Sequence, residues 1–197
     1  MFQEIDCRGL SCPQPVINTK KLLDSISEGI VKAIVDNEAA KENLLKLAKG
    51  LNLSAEAEQH HDAYHVIINK SAGATMGYAE TVQRVKGSYA LLITQNVLGK
   101  GNDELGAVLV KSLFYTLTEQ EGVPMVIAFL NSGVFLTCEK SAVLEHIMNL
   151  EKRGAEIMSC GTCLDFYDLK EKLCVGTVSN MYTILEKIQM ADKVITI

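Results

Sequence analysis

Apolar positions recur along the chain with two periods, and the elements they predict fall into two blocks. In the first block Phe2 to Asp6 alternates as a short strand, and Pro13 to Ile26 carries Val16, Ile17, Leu23 and Ile26 at helical spacing. Gly29 leads into the β-branched run Ile30 to Val35, which predicts a strand. Ala39 to Lys49, with Leu51 just beyond, puts Leu44, Leu47, Ala48 and Leu51 on one helical face, and Gly50 is the expected stop signal. Leu53 to Glu58 and Tyr64 to Ile68 read as two strands joined across His60, His61 and Asp62. This order predicts an α+β sandwich, two helices on one face of a four-strand sheet.

Residues 71–87 have no sustained apolar period and predict a linker, in which Arg84 and Lys86 are a solvated spacer. Beyond them strands and helices alternate. Tyr89 to Thr94, Val123 to Leu130, a segment opening at Glu156 to Met158, and Lys193 to Thr196 are the expected strands. Asp103 to Leu117 is a helix with Val110, Leu113, Phe114 and Leu117 on one face and Asp103 as its cap; Ser141 to Lys152 is a helix capped by Ser141. A short helical segment around Tyr167 to Lys172 follows, and Asn180 to Gln189 places Met181, Ile184, Leu185 and Ile188 at core spacing. Repeated strand–helix units predict an α/β domain with a mostly parallel sheet covered on both faces. The expected organisation is therefore residues 1–70, a linker over 71–87, and a second domain over 88–197.

Charge and composition narrow the function classes. With 24 acids, 19 bases and a formal net charge of −5, spread over both blocks, the chain has no footprint for nucleic-acid binding. No apolar run approaches the roughly 18 residues of a membrane span. The start MFQEIDCRGL carries acids where a signal peptide needs bases, so a soluble cytoplasmic protein is expected. Six cysteines in that compartment are not expected to form three disulfides. Cys7 and Cys12 lie near one end, and Cys138, Cys160, Cys163 and Cys174 towards the other, which suggests two thiol sites.

The densest chemical signal is Asp6-Cys7-Arg8-Gly9-Leu10-Ser11-Cys12-Pro13-Gln14-Pro15. Proline favours the first helical turn, so Cys12 falls at or just before a helix start, where free amides and the helix dipole favour its nucleophilic thiolate. Gly9 and Ser11 leave a small, open approach. Cys7, at a strand end, is either a packed residue or a resolving thiol. The second signal is Ser159-Cys160-Gly161-Thr162-Cys163, placed at the carboxyl edge of a sheet, where α/β folds hold reactive groups. Its two thiols suit a redox or relay pair, single-cysteine transfer, or packing. A zinc site would need Cys138, Cys174 or His146 to complete it.

Other features carry less. Leu98 to Gly106 departs from a dinucleotide fingerprint, because Glu104 stands where the third glycine belongs; its glycines predict a tight turn, with a phosphate role for Lys100 as the alternative. Asn131-Ser132-Gly133-Val134 ends the second strand of this block and would line the same sheet edge. His60, His61 and His65 mark a solvated turn or, alternatively, a metal site. Asp165, Tyr167 and Asp168 either orient a substrate or cap the next helical segment. No Ser–His–Asp or paired-carboxylate pattern supports hydrolysis.

Over Phe2 to about Lys70, the element order together with Asp6, Arg8-Gly9-Leu10 and Cys12-Pro13-x-Pro15 resembles the TusA/SirA-like sulfur carriers. That resemblance implies that Cys12 accepts a sulfane sulfur as a persulfide and passes it to another protein's thiol, with Arg8, Gly9, Pro13 and Pro15 in support. Cys7, a further supporting candidate, is a variation on the family's pattern and leaves open whether one thiol or two take part. The second block resembles the DsrE/DsrF-like relay family, which is α/β and often oligomeric. Both blocks in one chain, with the LGxGxxELG and CGTCLDFY stretches and Val175 to Tyr182, are similar to YedF-type selenium-metabolism proteins. The implied function is a carrier or relay of sulfane sulfur or selenium, with Cys160 or Cys163 as a second acceptor and no cofactor. Its partners would be donor and acceptor proteins, neither nucleic acid nor membrane. The alternative is a non-catalytic, oligomerising or partner-binding regulatory module in which only Cys12 is chemically active.

Overall fold

A computed structural model describes residues 1–71 and 88–197, and its contacts divide the chain into two compact units, Met1–Val85 and Lys86–Ile197. Beyond Ser71, the predicted linker lies outside the described residues. Among the described residues no helix is long and apolar enough to cross a membrane.

The first unit runs β1 (Phe2–Asp6), α1 (Gln14–Ser25), β2 (Gly29–Val35), α2 (Glu38–Gly50), β3 (Ser54–His60) and β4 (Ala63–Lys70). The sheet order is β1-β2-β4-β3, with β1 parallel to β2 and the other pairs antiparallel. Strand alternation sends Val31, Ala33, Val35, Val66 and Ile68 into one core with Leu23 and Ile26 from the α1 end and Leu44 and Ala48 from α2. At the end of α2 the stop is made by Asn52, not Gly50. Asn52 takes the left-handed conformation (φ 55°), its N–H donates to Lys49 O, and Leu53 N–H donates to Ala48 O at 2.9 Å, a Schellman closure. Lys70, buried at the end of β4, donates to the carbonyls of Leu23 (2.9 Å) and Ile26 (2.7 Å), placing a cation on the negative end of α1.

The second unit contains β5 (Tyr89–Ile93), α3 (Asp103–Glu119), β6 (Val126–Phe129), a 3-10 stretch (Asn131–Thr137), α4 (Leu144–Lys152) and β7 (Glu156–Cys160). It closes with α5 (Gly161–Phe166), a 3-10 turn (Lys170–Lys172), β8 (Thr177–Ser179), α6 (Met181–Gln189) and β9 (Lys193–Thr196). The sheet order β8-β7-β6-β5-β9 is parallel throughout. Leu91, Ile93, Ile127, Phe129 and Ile157 face α3 and α4, while Ala90, Val126, Ala128, Met158 and Cys160 face Ile184 of α6. The expected two-sided α/β layer is what forms.

Local expectations needed correction here. Asn102, not Asp103, caps α3, its side chain accepting from Leu105 N–H at 2.9 Å. Ser141 does not cap α4, which starts at Leu144; the Ser141 hydroxyl instead accepts from Val143 N–H within a turn. Of the helical segment expected around Tyr167 to Lys172 only the 3-10 turn Lys170–Lys172 forms; the α-helix here, α5, lies earlier and begins directly after Cys160. Met181 is 57% exposed, so the core stripe of α6 rests on Ile184.

Candidate functional site

Cys12 is exposed and lies one residue before Pro13, the cap position of α1, with Pro15 at the second helical position. The loop that carries it is fixed upstream. Cys7 to Leu10 form a turn closed by Leu10 N–H to Cys7 O, and Gly9 at its third residue has φ 73°, the left-handed value that a type II turn requires there. Gly9 N–H donates to the Asp36 carboxylate at 2.6 Å, which holds that carboxyl below its usual pKa. Arg8 forks onto Asp6 (2.6 Å from Nη2 to Oδ2), and this pairing holds the Asp6 carboxyl down at about 2. Both carboxylates thus brace the turn. Sequence reasoning missed Asp36; its signal was an acid directly after β2 and before the α2 cap Asn37.

Beside Cys12 a cleft of about 40 Å³ is lined by Leu10, Pro15 and Val16 and by Asn37, Ala39 and Ala40 at the start of α2. The small alanines keep this approach open. The first-turn amides are less available than the sequence implied, since Gln14 N–H is used by Ser11 O at 2.9 Å and Pro15 has none. Cys7 does not share this opening: it is 1% exposed in the first core. Burial pushes its thiol pKa up, the Asp6 charge adds to this, and the Thr19 hydroxyl offsets part.

In the second unit, Cys160 ends β7 and is buried on the α6 side of the sheet, while Cys163 sits in α5 and is half-buried. The two thiols interact. Burial raises the Cys163 pKa and the Cys160 side chain adds to this, against a lowering by the Asn131 N–H, which donates to Cys163 Sγ at 3.1 Å. Asn131 leaves the end of β6 with φ 48°, and the Tyr167 hydroxyl donates to its Oδ1 at 2.9 Å. The expected meeting of the β6 and β7 carboxyl ends therefore occurs, and Tyr167 serves as a brace on Asn131. Gly133 allows this close packing, since a Cβ there would lie 2.5 Å from Ile93 O.

The other cysteines do not join this pair. Cys138 is buried and donates to Val134 O at 3.2 Å, and exposed Cys174 donates to Lys172 O at 3.4 Å. His146 packs edge-on against Tyr115. Among the described residues no three His, Cys, Asp or Glu side chains are gathered as a metal site. His60 and His65 stack at 4.5 Å, His60 contacts Glu58, and His61 turns the hairpin at φ 52°. Asp165 pairs with Lys170, and Asp168 takes φ 53° after α5.

Comparison with known proteins covers both units. Residues 3–70 match the family model described as Sulfurtransferase TusA, and residues 107–197 match the DsrE/DsrF-like family. The chain is 31% identical over 71 residues to the sulfur carrier protein TusA of Allochromatium vinosum, an overlap that spans 35% of this chain and 93% of that protein. A SirA-like protein of Desulfitobacterium hafniense, known as a crystal structure, is 35% identical and covers 36% of this chain and 99% of its own, with a TM-score of 0.33. The YchN protein of E. coli is 16% identical and covers 56% of this chain and 98% of its own, with a TM-score of 0.44.

Proposed function

Through its first unit the chain belongs to the TusA family of sulfur carriers, with a DsrE/DsrF-like unit behind it, and from that premise we propose that it relays sulfane sulfur through a persulfide on Cys12. The observation that carries this is the position of Cys12, exposed at the mouth of a cleft on a turn braced by Asp6 and Asp36. The Cys12 thiolate attacks the terminal sulfur of a donor persulfide. One S–S bond forms as the donor's breaks, the donor leaves as a thiolate, and the proton stays on the transferred sulfur. Handing the sulfur on repeats the displacement with Cys12 as leaving group. Arg8, Gly9, Pro13 and Pro15 hold the loop, and Cys7 packs beneath it. Selenium in place of the transferred sulfur follows the same path.

Residues 1–70 then act as the carrier domain, 71–87 as its linker and 88–197 as the relay domain. Cys163, the more accessible of its pair, is the second acceptor. Attack of the Cys160 thiolate on the inner sulfur of a Cys163 persulfide forms a Cys160–Cys163 disulfide and releases hydrosulfide. The thiols are oxidised as the sulfane sulfur is reduced, and a thiol reductant restores the pair. The burial of Cys160 favours the other reading, in which the second unit only binds partners.

Peptide mass spectrometry after incubation with a persulfide donor, and in parallel with its R–S–SeH analogue, tests both. One added atom on Cys12 is expected, with the label lost in Cys12→Ser. Equal loading of wild type and Cys12→Ser overturns the carrier role. Unchanged transfer in the Cys160→Ser, Cys163→Ser double variant assigns the second unit to partner binding.

A further inference from the structure

One opening in the second unit is separate from its thiol pair. A cavity of about 430 Å³ lies between the first half of α3, the 3-10 stretch after β6 and the loop Glu139 to Val143. Cys160 and Cys163 are not among its lining residues. Phe135 lines the cavity, and its ring centroid lies 4.8 Å from that of Tyr167. The volume lies within the roughly 300–1,000 Å³ range of small-molecule sites.

Its lining has two distinct parts. Val110, Leu136, Val143 and Leu169 make an apolar floor, each otherwise buried in the core. The rim carries Lys111, Lys140 and Lys172 against one carboxylate, Glu139. Elsewhere lysines pair with acids, as Lys20 does with Asp24 and Lys187 with Glu156. Among the described residues none of the three rim ammonium groups has an ion-pair or hydrogen-bond partner, and Glu139 pairs with none of them. The side-chain amide of Asn96, also on the rim, is likewise without a protein partner there. Unpaired donors therefore outnumber acceptors around an apolar pocket. Three like charges lining one opening with a single carboxylate among them leave a net positive rim, and an anion bound there gains from the excess.

We propose that this cavity binds a small amphiphile, an anionic head held by Lys111, Lys140 and Lys172 and an apolar body on the Val110–Leu136–Val143–Leu169 floor. The head is a carboxylate or a phosphate. This site stands independently of the sulfur chemistry proposed above.

The test is titration of the isotopically labelled full-length protein with octanoate, octyl phosphate, octanol and octylammonium, followed by amide chemical shifts. Octanoate and octyl phosphate are expected to perturb Ala107 to Lys111 and Phe135 to Val143. Both should bind about tenfold or more tightly than octanol, a difference of roughly 1.4 kcal/mol. The tighter of the two anions identifies the head group. The triple variant K111Q/K140Q/K172Q should weaken octanoate binding about tenfold, while K100Q/K152Q/K193Q, lysines outside the lining, should leave it unchanged. Equal affinity for octanol and octanoate, shifts confined to other surfaces, or equal losses in both triple variants would overturn the proposal. All six positions are surface lysines, and dispersed spectra of both variants confirm that each is folded.

Discussion

The two thiol sites of this chain solve opposite problems. Cys12 stands exposed on a loop whose rigidity comes from charged braces at the surface, Arg8 on Asp6 and Gly9 on Asp36. Cys160 and Cys163 stand where two parallel strands end, one buried and one half-buried, and Asn131, itself braced by Tyr167, donates to Cys163. An exposed thiol can meet many partners but depends on its loop for position. A thiol at the sheet edge is positioned by the core itself, and at Cys163 burial disfavours the reactive thiolate. Exposure suits receipt and delivery between proteins, and burial suits an internal exchange between neighbouring sulfurs.

The sharpest way to break this contrast is alkylation of the intact chain at neutral pH with site mapping. Cys12 should react roughly tenfold or more faster than Cys7, Cys138 or Cys160, because buried thiols must wait for local opening, and faster than half-buried Cys163, whose thiol pKa is raised. Cys163 should continue to gain reactivity as pH rises above the ordinary thiol pKa of 9.0, since burial holds its proton. Equal rates at Cys12 and Cys163 would erase the distinction.

Stability separates the units next. Lys70→Met removes the cation from the Leu23 and Ile26 carbonyls and should destabilise the first unit by about 1–3 kcal/mol. Gly133→Ala forces a Cβ against Ile93 O and should destabilise the second by about 1–3 kcal/mol. Hydrogen exchange resolved by residue should localise each loss to its own unit. A loss from either variant spread over both would show that they unfold together.

The smallest effect concerns the braces. The Asp6 pKa is lowered to about 2 by Arg8, so its contribution is present above the usual carboxylate pKa near 4 and is lost as pH falls through about 2. Asp6→Asn should flatten the acid-unfolding profile of the first unit in that window and leave the second unit's profile unchanged. An unaltered profile in the first unit would remove the brace from the account of Cys12.

Much of the architecture was legible because each core face repeats with a clear period. The runs Ile30 to Val35 and Tyr89 to Thr94, and the stripes of α2 and α3, appear close to where their residues place them. Caps and turns were less legible. Asn102 and Asp103 are adjacent cap formers, and only the hydrogen bond to Leu105 N–H decides between them. Strand β8 has three residues and no alternation, so it exists through pairing with β7 rather than through its own propensity. The α5 helix was missed because a six-residue element carries less than two turns of pattern.

The same division holds for chemistry. The amino-acid sequence by itself determined the two blocks, the helix start that presents Cys12, and the Cys160–Cys163 spacing, because these depend on neighbours in the chain. Only the tertiary structure decided that Cys7 is core and Cys160 is under α6. It also decided that Asp36 braces the Cys12 loop, that Asn131 donates to Cys163, and that three unpaired lysines share one cavity. Burial, desolvation and hydrogen bonding between residues 27 or 32 positions apart depend on which strands lie side by side, and strand order is a property of the packed sheet rather than of any local segment.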